Sequence, residues 1–113
     1  MDKITLQDCS LQCRIGVSEE ERVKKREIFV DIEMFYNTKQ AAKSDEVKDT
    51  INYSQVHTIL REVVDDEYKL IETLAERIST QLLDKFPSER VIIRVKKPLP
   101  KKKMLAIVEV QRP

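Results

Sequence analysis

Glu72 stands in the run KLIETLAERI (69–78), one residue after Ile71 and among apolar positions. A carboxylate in the first turn of a helix gains about 0.3–1 kcal/mol from the backbone dipole. That accounts for an acid, but not for its place beside an apolar stripe; the other reading is that it reaches for a ligand. Three more residues stand where the chain reverses. Glu21 closes EEE (19–21), five residues past Gly16, as a solvated loop charge or as a carboxylate kept for chemistry. Tyr53, in DTINYSQV, precedes a helix-like run, where its ring either staples the helix or faces a site. Lys97 leaves a strand-like run just before Pro98. It is a solvated lysine, or one crowded by Lys96 and Lys101 into a usable base.

Other chemistries find little support. One glycine cannot build a phosphate-cradling loop, and one histidine, His57, neither makes a zinc site nor completes a Ser-His-acid set. His57 reads as a surface or stripe-edge residue. Cys9 and Cys13, four apart on a strand, would lie about 13 Å apart, too far for a disulfide, whose Cα atoms stay within about 7 Å. Both read as reduced thiols, with no metal and no cofactor expected. The net charge of +1 supplies no global pull toward nucleic acid or a membrane. Locally the charge is uneven: RVKKPLPKKK (94–103) carries six cations and no acid, a solvated face or a local anion site. A small α+β nucleic-acid-binding module would use this stretch too. It would also need aromatic stacking residues, and only Phe29 and Phe35 of the phenylalanines fall on strands.

Positioning these residues requires a fold. At 113 residues the chain reads as a single domain, 1–113, able to bury a core without staples. The opening MDKITLQD lacks a signal-peptide core and no apolar run is long enough to cross a bilayer, so a cytoplasmic location is expected. ITLQDCSLQCRIG reads as a strand ending at Gly16. EIFVDIEMFY alternates, with Ile28, Val30, Ile32 and Met34 on one face. YSQVHTILREVV places Val56, Ile59, Leu60, Val63 and Val64 at core-facing helical spacing, with Ser54 as a plausible N-cap. A second helix carries Ile71, Leu74, Ala75, Ile78 and Leu82 and stops before Pro87. RVIIRVK and MLAIVEV read as two further strands, with Pro98 and Pro100 breaking the chain between them. The order ββααββ predicts an α+β fold: a four-stranded antiparallel sheet with two helices on one face. The other face mixes Phe29, Phe35, Ile92, Leu105 and Ile107 with Asp31, Glu33, Arg94 and Glu109. That face and the unpaired sheet edges predict self-association.

Taken together, GVSEEER (16–22), AAKSDEVKDTINY (41–53), LIETLAERI (70–78) and VKKP (95–98) resemble the dihydroneopterin aldolase family, in order and spacing, over essentially the whole chain. The resemblance implies the tunnelling fold, in which subunits join their sheets into an oligomeric barrel, commonly an octamer of two tetrameric rings with active sites between subunits. It implies that Glu72 anchors a pterin by accepting from its 2-amino and N3 hydrogens, helped by the backbone of Ile71. Tyr53 would come from the adjacent subunit, stacking near the pterin and taking part in proton transfer. Glu21, also a substrate-binding residue, and Lys97 would complete the catalytic set, and Ile51 and Asn52 would shape the pocket wall. The reaction implied is retro-aldol cleavage of 7,8-dihydroneopterin in folate biosynthesis, with 2′-epimerisation as a side activity. The N5=C6 imine serves as electron sink in place of a metal or a Schiff base. Ile15 stands where many members carry histidine. The glycine-free basic loop 97–104 also fits a same-fold alternative, dihydroneopterin triphosphate epimerase, with Lys101, Lys102 and Lys103 attracting the triphosphate.

Overall fold

Strand β1, Lys3–Ile15, changes its pattern part-way, as the computed structural model of residues 1–113 shows. Ile4 and Leu6 turn toward the core, and after them Cys9, Leu11, Cys13 and Ile15. Even positions give way to odd because the antiparallel ladder with β2 (Arg26–Phe35) steps from Leu6–Ile32 to Cys9–Val30. The extra residue is a β-bulge. Asp8 adopts a left-handed φ of 55° in it, and its N–H donates to Asp31 Oδ1 at 2.8 Å.

On β2 the alternation is as expected: Ile28, Val30, Ile32 and Met34 are wholly buried. Strands β4 (Arg90–Leu99) and β5 (Met104–Arg112) continue the sheet, with Val91, Ile93 and Val95 buried. Proline does not end β4 where the sequence suggests. Pro98 still pairs with Leu105, but the ladder to β2 stops at Lys96. A residue without an N–H is tolerated where the strand is paired on one side only. The chain reverses later, in a 3₁₀ turn over Pro100–Lys102, and Lys103, at a φ of 53°, fills the left-handed position a glycine would usually take.

The sheet has five strands instead of four. Glu67–Tyr68 form β3, which pairs parallel to β1 through Arg14–Glu67 and Ile15–Tyr68, giving the order β3-β1-β2-β4-β5. Two residues are too few to show a period. The strand is set by tertiary anchoring, since Tyr68 is buried and its hydroxyl donates to the Val63 carbonyl at 2.8 Å.

The two long helices, α3 (Tyr53–Val63) and α4 (Ile71–Lys85), cover one face. They bury Val56, Ile59, Leu60 and Val63 from α3, and Leu74, Ala75, Ile78 and Leu82 from α4. The N-cap of α3 is Asn52, not Ser54: the Asn52 side-chain oxygen accepts from the Ser54 N–H at 3.0 Å. Short helices α1 (Glu19–Arg22) and α2 (Lys39–Ser44) lie in the polar connections. No helix is long and apolar enough to cross a membrane.

The opposite face carries charge that is both buried and paired. Asp31 and Glu33 are 5% and 7% exposed. Arg94 bonds Asp31 at 3.0 Å, Glu33 at 2.7 Å and Glu109 at 3.0 Å, while Lys96 binds Asp31 and Asp8, and Lys3 binds Glu33. Burial alone would raise the Asp31 pKa, but the Asp8 N–H, Lys96 and Arg94 outweigh it and hold it below its usual range. Leu105 and Ile107 stay exposed beside this network, on the outer strand.

Candidate active site

Just past β1 the chain folds into a tight capped turn. Ser18 is the N-cap of α1: its Oγ accepts from the Glu21 N–H at 3.3 Å, and Glu21 Oε1 accepts from the Ser18 N–H at 3.3 Å and its Oγ–H at 3.1 Å. This reciprocal capping box fixes the Glu21 side chain. It lies directly on Gly16, where a Cβ would come within 2.3 Å of Glu21 Cβ. Only glycine admits that approach.

Lys97 reaches the same carboxylate from β4. It follows Val95 on the helix-covered face by strand alternation, and its Nζ donates to Glu21 Oε2 at 3.2 Å with the side chain 15% exposed. The Ser18 N–H first, and Lys97 second, hold the Glu21 carboxyl below the usual carboxylate range. Crowding of Lys97 by Lys96 does not occur. Adjacent strand residues point to opposite faces, and Lys96 is engaged by Asp8 and Asp31.

Glu72 lies at the same end of the sheet. The Gly16 N–H donates to the Tyr68 carbonyl at 3.0 Å, and α4 begins three residues later at Ile71. Glu72 is exposed in the first turn, bonded to no other residue, and the N-cap Leu70 supplies no side-chain acceptor. A free carboxylate therefore sits beside helix N–H donors, an arrangement able to grip a planar ligand edge that presents N–H groups.

Tyr53 lies elsewhere. It is the first residue of α3, 62% exposed, and its hydroxyl has no partner in the chain. It staples nothing. With Leu6, Cys9, Ser54, His57 and Leu60 it lines an open groove of about 380 Å³. From there α3 runs alongside β1 in the same direction, bringing Val64 and Asp65 next to Leu11 and Gln12. The helix is about 16 Å long, and its Tyr53 end lies beside Leu6 and Cys9, away from the Gly16 turn. Within one chain Glu21 and Lys97 meet, Glu72 shares their end, and Tyr53 does not join them.

Of the other expected pocket residues, Ile51 is 1% exposed and belongs to the core, and Asn52 is occupied as a cap. His57 is exposed, as its stripe-edge position suggests. Cys13 is buried, and burial pushes its thiol up to about 11. Sequence reasoning assigned no role to Arg22. It is 9% exposed and makes three polar contacts beneath the Glu21 turn. Its only sequence signal is a cation closing an acidic run.

The FolB dihydroneopterin aldolase family model matches residues 4–111. The dihydroneopterin aldolase of Escherichia coli K12 is 33% identical over 99 residues, 87% of this chain and 81% of that protein. The Streptococcus pyogenes serotype M1 enzyme of the same name is 35% identical over 102 residues, covering 88% and 86%. Among solved structures, E. coli dihydroneopterin aldolase in complex with neopterin superposes with a TM-score of 0.95 at 30% identity, covering both chains completely. A Burkholderia protein bound to guanine, at 19% identity and a TM-score of 0.79, shares the fold. The chain belongs to the dihydroneopterin aldolase family.

Proposed function

We propose that this chain is a cytoplasmic dihydroneopterin aldolase acting as a homo-oligomer, a tetramer or octamer, with each active site shared between two subunits. The observation that carries the reading is the Lys97–Glu21 pair, 3.2 Å apart and seated on Gly16. It belongs to a chain whose family relatives bear that name. Glu72 accepts from the pterin 2-amino and N3 hydrogens, and the Ile71 backbone holds the ring. Lys97, steadied by Glu21, exchanges the proton of the substrate 2′-hydroxyl through water. As that proton leaves, the C1′–C2′ bond breaks, glycolaldehyde departs, and the electron pair passes into the conjugated N5=C6 imine. Tyr53 of the adjoining subunit assists protonation at C1′, giving 6-hydroxymethyl-7,8-dihydropterin. Reversal of the cleavage epimerises C2′.

Within one chain Tyr53 lies beside Leu6 and Cys9 and does not join the Glu21–Lys97 pair, which supports a site completed by another copy. The side of β1 left unpaired beyond its two-residue contact with β3, and the outer edge of β5, offer the means of joining. Incubation with 7,8-dihydroneopterin is expected to release glycolaldehyde, and no release would overturn the reading. Mixed oligomers of Tyr53→Phe and Lys97→Ala chains test the sharing. Each site takes one group from each neighbour, so about one site in four is intact and activity returns on mixing. No return would place both groups in one subunit. The exposed Lys101, Lys102 and Lys103 favour a second reading, epimerisation of the triphosphate, which would show as a new epimer from that substrate with no aldehyde.

A further inference from the structure

Arg22 is the one cation of the Glu21 turn that the structure buries. Its Nη1 donates to the Gly16 carbonyl at 2.7 Å and the Val17 carbonyl at 2.8 Å, and its Nε donates to Glu67 Oε1 at 2.7 Å. Gly16 is the floor on which Glu21 rests, and Val17 leads into Ser18, the residue that caps Glu21. Glu67 belongs to β3, four residues before Ile71 and the start of α4. A single planar guanidinium therefore ties the turn carrying Glu21 to the strand that leads into the Glu72 helix. Lysine could not reproduce this fork, because its ammonium is a point donor on a flexible stem.

We infer that Arg22 is a positioning residue for the reaction, acting through the Gly16–Ser18 turn to set the Glu21 carboxylate against Lys97 and to hold it in register with the start of α4. The inference rests on the aldolase reading. It adds a residue that touches neither substrate nor the reacting atoms, and whose effect falls on proton transfer more than on pterin binding. The groups facing the Glu21 side chain are Ser18 of its own turn and Lys97 of β4, while Arg26 of β2 reaches only its backbone carbonyl at 2.9 Å. If the turn relaxes, the Ser18 N–H and Lys97 are lost together.

Arg22→Met removes all three contacts. Its kcat is expected to fall about 30- to 100-fold, the scale of an ångström-sized misplacement, while neopterin affinity changes by less than about threefold. Arg22→Lys should recover part of kcat, and Glu67→Gln, which leaves both carbonyl contacts, should lose less. An unchanged kcat in folded Arg22→Met would overturn the inference. So would a parallel fall in kcat and affinity, the mark of general loosening. A carbon-13 titration of the Glu21 carboxyl decides the matter without any activity. Its midpoint should rise from the lowered value toward the ordinary 4.5 in Arg22→Met, and in Arg22→Lys if the first variant does not fold. An unmoved midpoint overturns the inference whatever the enzyme's substrate proves to be, whereas absence of glycolaldehyde from the wild-type protein overturns only the aldolase reading.

Discussion

The Gly16 end of the sheet and the Tyr53 end of α3 differ in how far one chain completes them. At the Gly16 end Glu21 is capped by Ser18, floored by Gly16 and joined to Lys97, and Arg22 binds the turn to β3. At the other end Tyr53 stands exposed on the first turn of α3, its hydroxyl without a partner. Groups that must meet at hydrogen-bond distance before substrate arrives are fixed by bonds within the chain. In the proposed assembly, the group left unengaged within the chain is the one a neighbouring subunit would engage. Preorganisation is thus local, and a variant at either end should fail in its own way.

The largest effect is expected at the completed end. Lys97→Ala removes the proposed proton carrier, and positioned acid–base groups contribute about 10²- to 10⁴-fold to rate, so kcat for glycolaldehyde release should fall within that range. Pterin affinity should barely change, because in the proposed site Lys97 does not hold the ring. A kcat loss below about tenfold would move the proton exchange to another group.

Glu72→Gln tests the same end at the exposed carboxylate proposed to anchor the pterin. A hydrogen bond to a charged partner contributes about 1.5–3 kcal/mol, so neopterin should bind on the order of 10- to 100-fold more weakly, with the fold unaltered. Fluorescence titration with neopterin measures this. Since the Glu72 carboxylate makes no hydrogen bond within the chain, stability should fall by no more than the roughly 0.3–1 kcal/mol of its helix-dipole interaction. Unchanged affinity would remove the anchor.

Much of this contrast was legible in the sequence, and the remainder has physical causes. Ile28, Val30, Ile32 and Met34 announce β2 because its buried face alternates without interruption. The bulge at Asp8 hides the same signal in β1, where the buried set changes from even to odd positions. Strand β3 was invisible, since two residues held by Tyr68 and by the end of β1 carry no period. Within the site, Glu21 and Lys97 could be named from the motif, yet their 3.2 Å pairing depends on a chain reversal that no local pattern encodes. The sequence also suggested that Lys96 crowds Lys97, and strand alternation puts Lys96 on the other face. Arg22 was missed because a buried arginine looks like a solvated one until its carbonyl partners are brought to it.

Acid should separate the two ends. Glu21 has a lowered pKa in the folded chain, so the bonds it makes are fully present above its ordinary value of 4.5 and are lost as pH falls through the lowered value. The Ser18 amide signal should therefore shift in an NMR titration carried below pH 4.5. The Tyr53 ring should not follow it, since no carboxylate is bonded to the first turn of α3. Parallel shifts at both ends would mean that the sheet couples them.

The smallest effect belongs to the incomplete end, and it asks whether that end has any preorganisation of its own. Asn52 caps α3 through the Ser54 N–H at 3.0 Å, immediately before Tyr53. Replacing such a cap with alanine costs about 1 kcal/mol, so Asn52→Ala should lower the urea midpoint slightly when compared at equal subunit concentration, because assembly contributes to apparent stability. Loosening the turn that bears Tyr53 should lower kcat only a few-fold, about what the same 1 kcal/mol would give, provided the neighbouring subunit holds the ring in the assembled site. A loss as large as that of Lys97→Ala would mean instead that the cap, and not the neighbour, fixes Tyr53. The contrast between a finished end and an unfinished one would then fail.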